Sequence, residues 1–238
     1  MPTLASKTQQ NDSREIAIAT TINTIEYAPK VSSDLVFNKI SLRSNALKFA
    51  QQGQYSEAIA LLNKLIDRSF NNAIDYNNRG LIYFKSGEKQ KAFCDYNTAL
   101  KLNPKLVAAY NNRANYYVCC GDLAAAIADY DRAIDLNPSY VRARINRGIT
   151  LRDLGQYKEA IENFEIALLF GQLEAYIWAE CGRTYYLWGD CNCALTAYNR
   201  AFTLLSRIDP KKEVFSYRLY LQLESWLNEL SYKFGIRN

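Results

Sequence analysis

Three asparagines recur along the sequence at a constant spacing, and their side chains could bind another polypeptide. Asn78, Asn112 and Asn146 follow one another at intervals of 34 residues. Each side-chain amide carries two N–H donors and one acceptor. A row of such amides can pair with the backbone of an extended peptide. The row ends at both sides, where Ser44 and Glu180 stand in the same register.

Basic and aromatic side chains accompany this row, and both types are favoured in binding hot spots. They would suit a segment with some acidic and some apolar residues, although Glu180 and Asp153 oppose an acidic one. Solubilising charge scattered over a helix face is the alternative explanation. The predicted peptide-binding set is Asn78, Asn112, Asn146, Arg43, Phe84, Lys85, Arg142, Arg152, Tyr176, Arg183 and Tyr186.

Catalytic and cofactor-binding arrangements are not recognisable in the sequence. Histidine, the commonest general acid or base and metal ligand, is absent. Cys191 and Cys193, together with Cys181, could suggest a metal site, but zinc ligands usually come in paired sets at known spacings. Buried packing is the favoured interpretation of these cysteines. We therefore predict a protein that is not an enzyme and holds neither cofactor nor metal.

The composition is that of a folded protein, with 49% hydrophobic and 22% charged residues. A formal net charge of +5 falls short of the clustered basic footprint of a dedicated nucleic-acid binder. We therefore do not expect nucleic acid as a partner. We find no run of about 20 apolar residues that could span a membrane and no secretory leader. The expected location is the cytoplasm.

Small and large residues recur with the same period of 34 residues throughout most of the chain. Because several residue types keep one register, the recurrence indicates a repeat protein. The glycines are Gly53, Gly87, Gly121, Gly155 and Gly189, the alanines Ala58, Ala92, Ala126, Ala160 and Ala194, and the large residues Leu62, Tyr96, Tyr130, Phe164 and Tyr198.

This pattern resembles the tetratricopeptide repeat, a 34-residue helix–turn–helix. One copy carries Tyr76, Gly80, Tyr83, Gly87, Ala92, Tyr96, Ala99 and Pro104 at the signature positions. The resemblance implies an all-α fold, an α-solenoid in which a right-handed superhelix is built from five repeats and a C-terminal capping helix. It also implies that the first helix of each repeat lines a concave groove. The repeats are assigned to residues 39–72, 73–106, 107–140, 141–174 and 175–208.

Within this family, the asparagine row resembles the asparagine ladder in the repeat domain of O-GlcNAc transferases. That likeness implies contact with a peptide backbone only, because nothing in the sequence resembles the transferase domain. The alternative is that asparagine merely suits a solvated helix face.

A second regularity is expected to be structural. Arg79, Arg113 and Arg147 each precede the small residue of a first helix. Asp95 and Asp129 follow the first two sixteen residues later, and Asn163 stands at that place in the third case. The outermost repeats lack both partners. Joint presence and joint absence predict a hydrogen-bonded pair between the two helices of a repeat, which fixes helix packing more than it adds stability.

The two ends depart from the repeat. Residues 1–38 are predicted to be an N-terminal tail or arm, partly disordered, and the pattern of 14–38 leaves both order and disorder open. Residues 209–238 are predicted to cap the last repeat, with an amphipathic helix over 211–234. A partly separate face of Val214, Tyr217 and Tyr220 could serve self-association or a partner instead.

These features favour an adaptor or scaffold that binds an extended or helical segment of a client protein in its groove. Assembly of a larger complex is one specialisation of such a role. A regulatory or RNA-associated protein that uses the mildly basic surface is the alternative. Binding that falls steeply with added salt would favour that alternative.

Overall fold

The computed structural model describes residues 33–206 and 214–234, and every regular element within these ranges is an α-helix. The all-α prediction is confirmed for this part of the chain. The described residues form two compact units, one over 33–138 and one over 139–206 together with 214–234. The predicted tail or arm, up to residue 32, and the start of the capping segment at 209–213 lie outside the described residues.

The first unit consists of three helical hairpins. Helices α1 and α2, α3 and α4, and α5 and α6 pack as antiparallel pairs, and each hairpin also contacts the next one in the chain. Their bounds are Ser33–Gln51 for α1, Tyr55–Arg68 for α2, Ala73–Lys85 for α3, Lys89–Leu102 for α4, Val107–Cys120 for α5 and Leu123–Leu136 for α6.

The second unit consists of two hairpins and a long final helix. Helix α7 pairs with α8 and α9 pairs with α10, while α11 packs on both α9 and α10. Their bounds are Val141–Asp153 for α7, Tyr157–Leu168 for α8, Glu174–Trp188 for α9, Cys191–Leu205 for α10 and Val214–Phe234 for α11.

A left-handed glycine follows the first helix of each hairpin. These residues have φ angles between 77° and 95°, a region that costs glycine little because it has no Cβ. The predicted left-handed turn is confirmed at Gly53, Gly87, Gly121, Gly155 and Gly189.

Small residues let the two helices of a hairpin approach closely. A Cβ placed on Gly80 would lie 2.8 Å from Cε1 of Tyr96, and one on Gly148 would lie 2.7 Å from Cε1 of Phe164. Both aromatic rings are fully buried. The recurring small and aromatic positions therefore fit one another within each hairpin, as the sequence predicts.

The predicted arginine–aspartate pairs are present and extend further than expected. Arg79 donates to both carboxylate oxygens of Asp95 at 2.8 and 2.7 Å, and also to Oδ1 of Asn63 at 2.8 Å. Arg113 repeats the arrangement with Asp129. Because Asn63 lies on α2, Arg79 ties its own hairpin to the preceding one.

Helix α11 covers the α9–α10 hairpin. Trp226 is buried with its ring 5.8 Å from that of Tyr198 on α10. Tyr220 meets Phe202 edge to face, with 5.0 Å between ring centroids. Tyr217 is about half exposed on the other side of α11, and the side chain of Val214 lies outside the described part of the chain.

Candidate functional site

The three predicted ladder asparagines are buried. Their exposed fractions are 4% for Asn78, 2% for Asn112 and 6% for Asn146. Asn112 Nδ2 donates to Oδ1 of Asn77, at 3.0 Å, and thereby joins α5 to α3. The amides of the first unit are therefore engaged with one another rather than spread over a solvated helix face.

Arg43 of α1 is held in a buried ion pair. Its Nε and Nη2 donate to the two carboxylate oxygens of Asp75 on α3, at 2.5 and 2.8 Å. Both side chains are nearly inaccessible to solvent. Such a bidentate geometry satisfies both charged groups, so Arg43 joins two first helices and is already neutralised.

Arg152 is similarly neutralised in the second unit. Its Nη1 donates to Oε2 of Glu180 at 2.5 Å, and Glu180 has an exposed fraction of 0%. Tyr176 is buried beside this pair, and burial together with the Glu180 charge raises the pKa of its phenol well above the usual value. Tyr176 therefore stays neutral and acts as a hydrogen-bonding group.

Arg183 and Tyr186 contact the final helix. Arg183 Nη1 donates to Oε2 of Glu229 on α11 at 2.6 Å, and its guanidinium lies over the rings of Tyr186 and Trp226 at 5.0 and 5.6 Å. Burial and a hydrogen bond with Glu229 raise the pKa of Tyr186 to about 12. These two predicted site residues thus help to dock α11.

Phe84 and Lys85 lie near the end of α3. Phe84 is buried and Lys85 is half-buried. Lys85 and Asn78 contribute to one wall of an apolar cavity between α1 and α3. The structure therefore brings these two predicted residues together.

Arg142 on α7 differs from the other predicted arginines. Its Nε is buried without a hydrogen-bond partner, and no carboxylate of the described residues forms an ion pair with it. Desolvation by burial lowers the pKa of its guanidinium, while the nearby Tyr140 phenol opposes that effect. Arg142 remains charged and has unused capacity for an anion.

Sequence reasoning missed the acidic partners and the second set of asparagines. Asp75 and Glu229 are not among the predicted site residues, and Glu180 is predicted only as an opposing charge. Asn77 and Asn111 recur at the same 34-residue interval, immediately before Asn78 and Asn112. That doubled recurrence was the available signal for the amide contacts between α3 and α5.

The six cysteines are free thiols. Cys181 is buried, and burial raises the pKa of its thiol, so the packing interpretation holds for this residue. It is wrong for Cys193, which is exposed, and only partly correct for the half-buried Cys191. The reason is that both stand at the solvent-facing start of α10.

None of the described helices has the length and apolar character needed to cross a membrane. Within the same residues, histidine, cysteine, aspartate and glutamate do not gather in any group of three or more that could hold a metal ion.

Family comparisons identify the repeat. Models described as tetratricopeptide repeat match three segments of the chain, and one described as TPR repeat matches a fourth. The first three matches cover residues 73–106, 107–140 and 129–162, and the fourth covers 46–87. None of the curated protein sequences matches the chain.

Solved structures share the fold at low sequence identity. MamA AMB-1 is 24% identical, with a TM-score of 0.57 over 70% of this chain and 99% of its own. TTC0263, a thermophilic TPR protein of Thermus thermophilus, is 19% identical, with a TM-score of 0.65 over 78% and 98%. PilW, a type IV pilus biogenesis factor, is 17% identical, with a TM-score of 0.65 over 87% and 97%.

Proposed function

Because the chain belongs to the tetratricopeptide-repeat family, we propose that it is a non-catalytic scaffold that binds an extended segment of a client protein. The proposed contact surface is formed by first helices, where the predicted site residues lie. A family built for protein contacts does not specify the client. The chemistry of the side chains that remain available for binding must supply that information.

The proposal depends on Arg142, whose partly buried guanidinium has no carboxylate partner among the described residues. A partly buried guanidinium is costly unless it is paired, because its charge has lost part of its hydration. Arg43, Arg152 and Arg183 each meet this requirement with a carboxylate inside their own unit. Arg142 does not, so an anionic group from a partner would complete its environment. A carboxylate side chain of the client is the group that fits a planar guanidinium best.

The paired arginines also bear on the RNA-associated alternative. Five of the basic side chains that could have formed a phosphate-binding surface are bound to acidic residues, namely Arg43, Arg79, Arg113, Arg152 and Arg183. Their charge is therefore largely cancelled within the protein. A protein segment carrying one or a few acidic residues suits the remaining charge better than a continuous phosphate backbone. The role of assembly factor stays a prediction.

The test is selection of short peptides from a random displayed library against the full chain. We expect enrichment of sequences that contain an acidic residue. Affinity should fall about tenfold, or about 1.4 kcal/mol, when Arg142→Gln removes the guanidinium. Lys158→Gln is the matched control, because it removes the same charge from an exposed site on α8 and should leave binding unchanged.

Two results would reject this function. One is the absence of any peptide with saturable binding. The other is tighter binding of a single-stranded RNA than of every selected peptide, with a steep decrease as salt is added. Equal losses of peptide affinity in Arg142→Gln and Lys158→Gln would show a general charge effect and would remove Arg142 as the contact.

A further inference from the structure

Three aromatic rings stack beside one another near the turn between α9 and α10. The Trp188 ring lies 6.5 Å from that of Tyr185 on the same helix and 6.4 Å from that of Tyr157 on α8, measured between centroids. The ring planes are nearly parallel, at 11° and 26°. Both distances exceed the 4.6 Å between Phe93 and Tyr116, so the stack is not closed face to face. We call these three rings the aromatic platform.

The indole of Trp188 is half exposed to solvent. Its exposed fraction is 51%, and those of the adjacent Leu187 and of Leu154, the equivalent residue of the preceding repeat, are 43% and 46%. Trp188 also forms part of the wall of an open recess of about 510 Å³, beside Gly189 and Asp190. Large apolar side chains that are exposed together mark an interaction surface.

The fold does not require a tryptophan at this position. Each residue in this register directly precedes the left-handed glycine that ends the first helix of its hairpin. The other four repeats place there Gln52, Ser86, Cys120 and Leu154. Because small, polar and aliphatic residues all form the same turn, the large ring of Trp188 is not needed for the turn itself.

Carboxylates lie close to the platform. Burial raises the pKa of the Tyr185 phenol, and Cys181, Cys193, Glu165 and Asp190 add smaller effects in the same direction. The two carboxylates are exposed. Asp190 accepts a hydrogen bond from the backbone N–H of Cys193 at 2.9 Å, which lowers its pKa and keeps it ionised. Helix α8 as a whole carries three glutamates and one lysine, so a basic group suits this surface.

The ring geometry and the charges together select among the groups that aromatic rings bind. Quaternary ammonium groups are recognised by aromatic cages, but nearly parallel planes do not enclose a cation. Nucleobases stack on exposed aromatic rings, but the phosphates beside them would be repelled by Glu165 and Asp190. Proline suits both features, because its ring packs flat on aromatic faces and brings no negative charge.

We propose that the aromatic platform binds a proline-rich segment of a partner protein in the polyproline II conformation, with a basic residue of that segment beside Glu165 and Asp190. Such segments dock on aromatic-lined surfaces because their conformation is largely formed before binding. Their backbone offers carbonyl acceptors and, at proline, no N–H donor. This complements the indole of Trp188, which is a donor only.

This surface is distinct from the contact proposed for Arg142. Arg142 lies in the first turn of α7, whereas the platform begins beyond the last residue of that helix, at Tyr157. The inference therefore goes beyond the proposed function and does not depend on it.

A peptide of one arginine followed by a run of prolines tests the platform. It is titrated into the full chain labelled with ¹⁵N, and the indole N–H signals are recorded. We expect the Trp188 signal, identified by its loss in Trp188→Ser, to shift and saturate. A peptide with serine in place of every proline should bind at least about tenfold more weakly, because it has neither the rings nor the preformed conformation.

Matched variants separate the platform from the rest of the unit. Trp188→Ser should weaken the proline probe at least about tenfold, and serine already forms this turn at Ser86. Tyr217→Ala is the control, because it removes an aromatic ring with the same exposed fraction, 51%, from α11 and should bind as the original chain does. Glu165→Gln should weaken the arginine-containing probe about threefold and leave a probe of prolines alone unchanged.

Several results would overturn the inference. They are the absence of a saturable shift at Trp188, equal affinities for the proline and serine peptides, and undiminished binding by Trp188→Ser. Tighter binding of choline or of a single-stranded oligonucleotide at the Trp188 signal would also reject it, and an unchanged affinity in Glu165→Gln would reject the basic residue. Arg142→Gln should leave the proline probe unaffected, so the platform and the proposed function can each fail without the other.

Discussion

The contact between α3 and α5 in one unit differs from the contact between α7 and α9 in the other. In residues 33–138, neutral amides join α3 to α5, as in the contact between Asn112 and Asn77, although the buried pair of Arg43 and Asp75 joins α1 to α3. In residues 139–206 and 214–234, the charged pair of Arg152 and Glu180 joins α7 to α9, and Arg183 binds Glu229 of the final helix. Asn112 and Glu180 occupy equivalent positions in their repeats. The same position can therefore hold either a neutral amide or a carboxylate that is paired with arginine.

The difference shows what each solution requires of its neighbours. An amide is both donor and acceptor, so asparagine can satisfy asparagine and the arrangement can be repeated without new residue types. A buried carboxylate needs a cation, and the cation must come from a nearby element. The second unit therefore depends on specific arginines that have no counterpart in the amide chain.

The largest expected effect is at the contact between α7 and α9. Glu180→Leu removes the hydrogen-bonded carboxylate of the buried Arg152 guanidinium and leaves only the longer contact with Asp153 at 3.7 Å. We expect a loss of about 3–5 kcal/mol in the free energy of unfolding. Urea denaturation of the purified chain measures it. The double variant Arg152→Met with Glu180→Leu should recover most of the loss. A single variant that loses less than about 1 kcal/mol would contradict the buried pair.

A smaller effect is expected among the amides of the first unit, where Asn77 accepts from Asn112 and donates to Asn78. Asn77→Leu removes one link of the amide chain and leaves Asn112 Nδ2 without an acceptor and Asn78 Oδ1 without a donor. We expect a loss of about 1–3 kcal/mol, because neutral groups cost less to leave unsatisfied than charged ones. The same urea measurement applies. If Asn77→Leu proved more costly than Glu180→Leu, the contrast between the units would be reversed.

The smallest expected effect concerns pH. Tyr186 has a pKa of about 12 in the folded chain, compared with 10 as its ordinary value. Between these values the unfolded chain loses the proton first, so the stability contributed by the neutral phenol is present below pH 10 and decreases toward pH 12. Between pH 10 and pH 12, Tyr186→Phe should make the free energy of unfolding decrease less steeply with pH. The change in slope should be no larger than the contribution of one proton. An unchanged slope would show that Tyr186 is not shielded by α11.

The features that could be predicted from the sequence are those that recur within a repeat. The left-handed turn at Gly121 and the pairing of Arg79 with Asp95 belong to this class, because each appears in several copies at one internal spacing. Repetition separates such contacts from chance. The three predicted asparagines follow the same register, but their spacing alone does not reveal which side chains already have hydrogen-bond partners within the protein.

Contacts that occur only once among the described residues could not be predicted, because no second copy separates them from chance. Arg43 pairs with Asp75 at a separation of 32 residues and Arg152 pairs with Glu180 at a separation of 28. Neither separation equals the repeat length, and neither pair is copied elsewhere among the described residues. They depend on how two neighbouring first helices pack against each other. The recurrence of residue types every 34 residues does not reveal that packing. The buried Nδ2 of Asn78 has no hydrogen-bond partner. Arg43, which is bound to Asp75, stands where the next repeat has the acceptor Asn77.

The four amides Asn111, Asn112, Asn77 and Asn78 donate to one another in a single direction. Amide dipoles aligned head to tail polarise one another, so each hydrogen bond strengthens its neighbours. The bond from Asn112 to Asn77 joins α5 to α3, so the attachment of these two helices gains strength from the bonds within each helix as well as from its own.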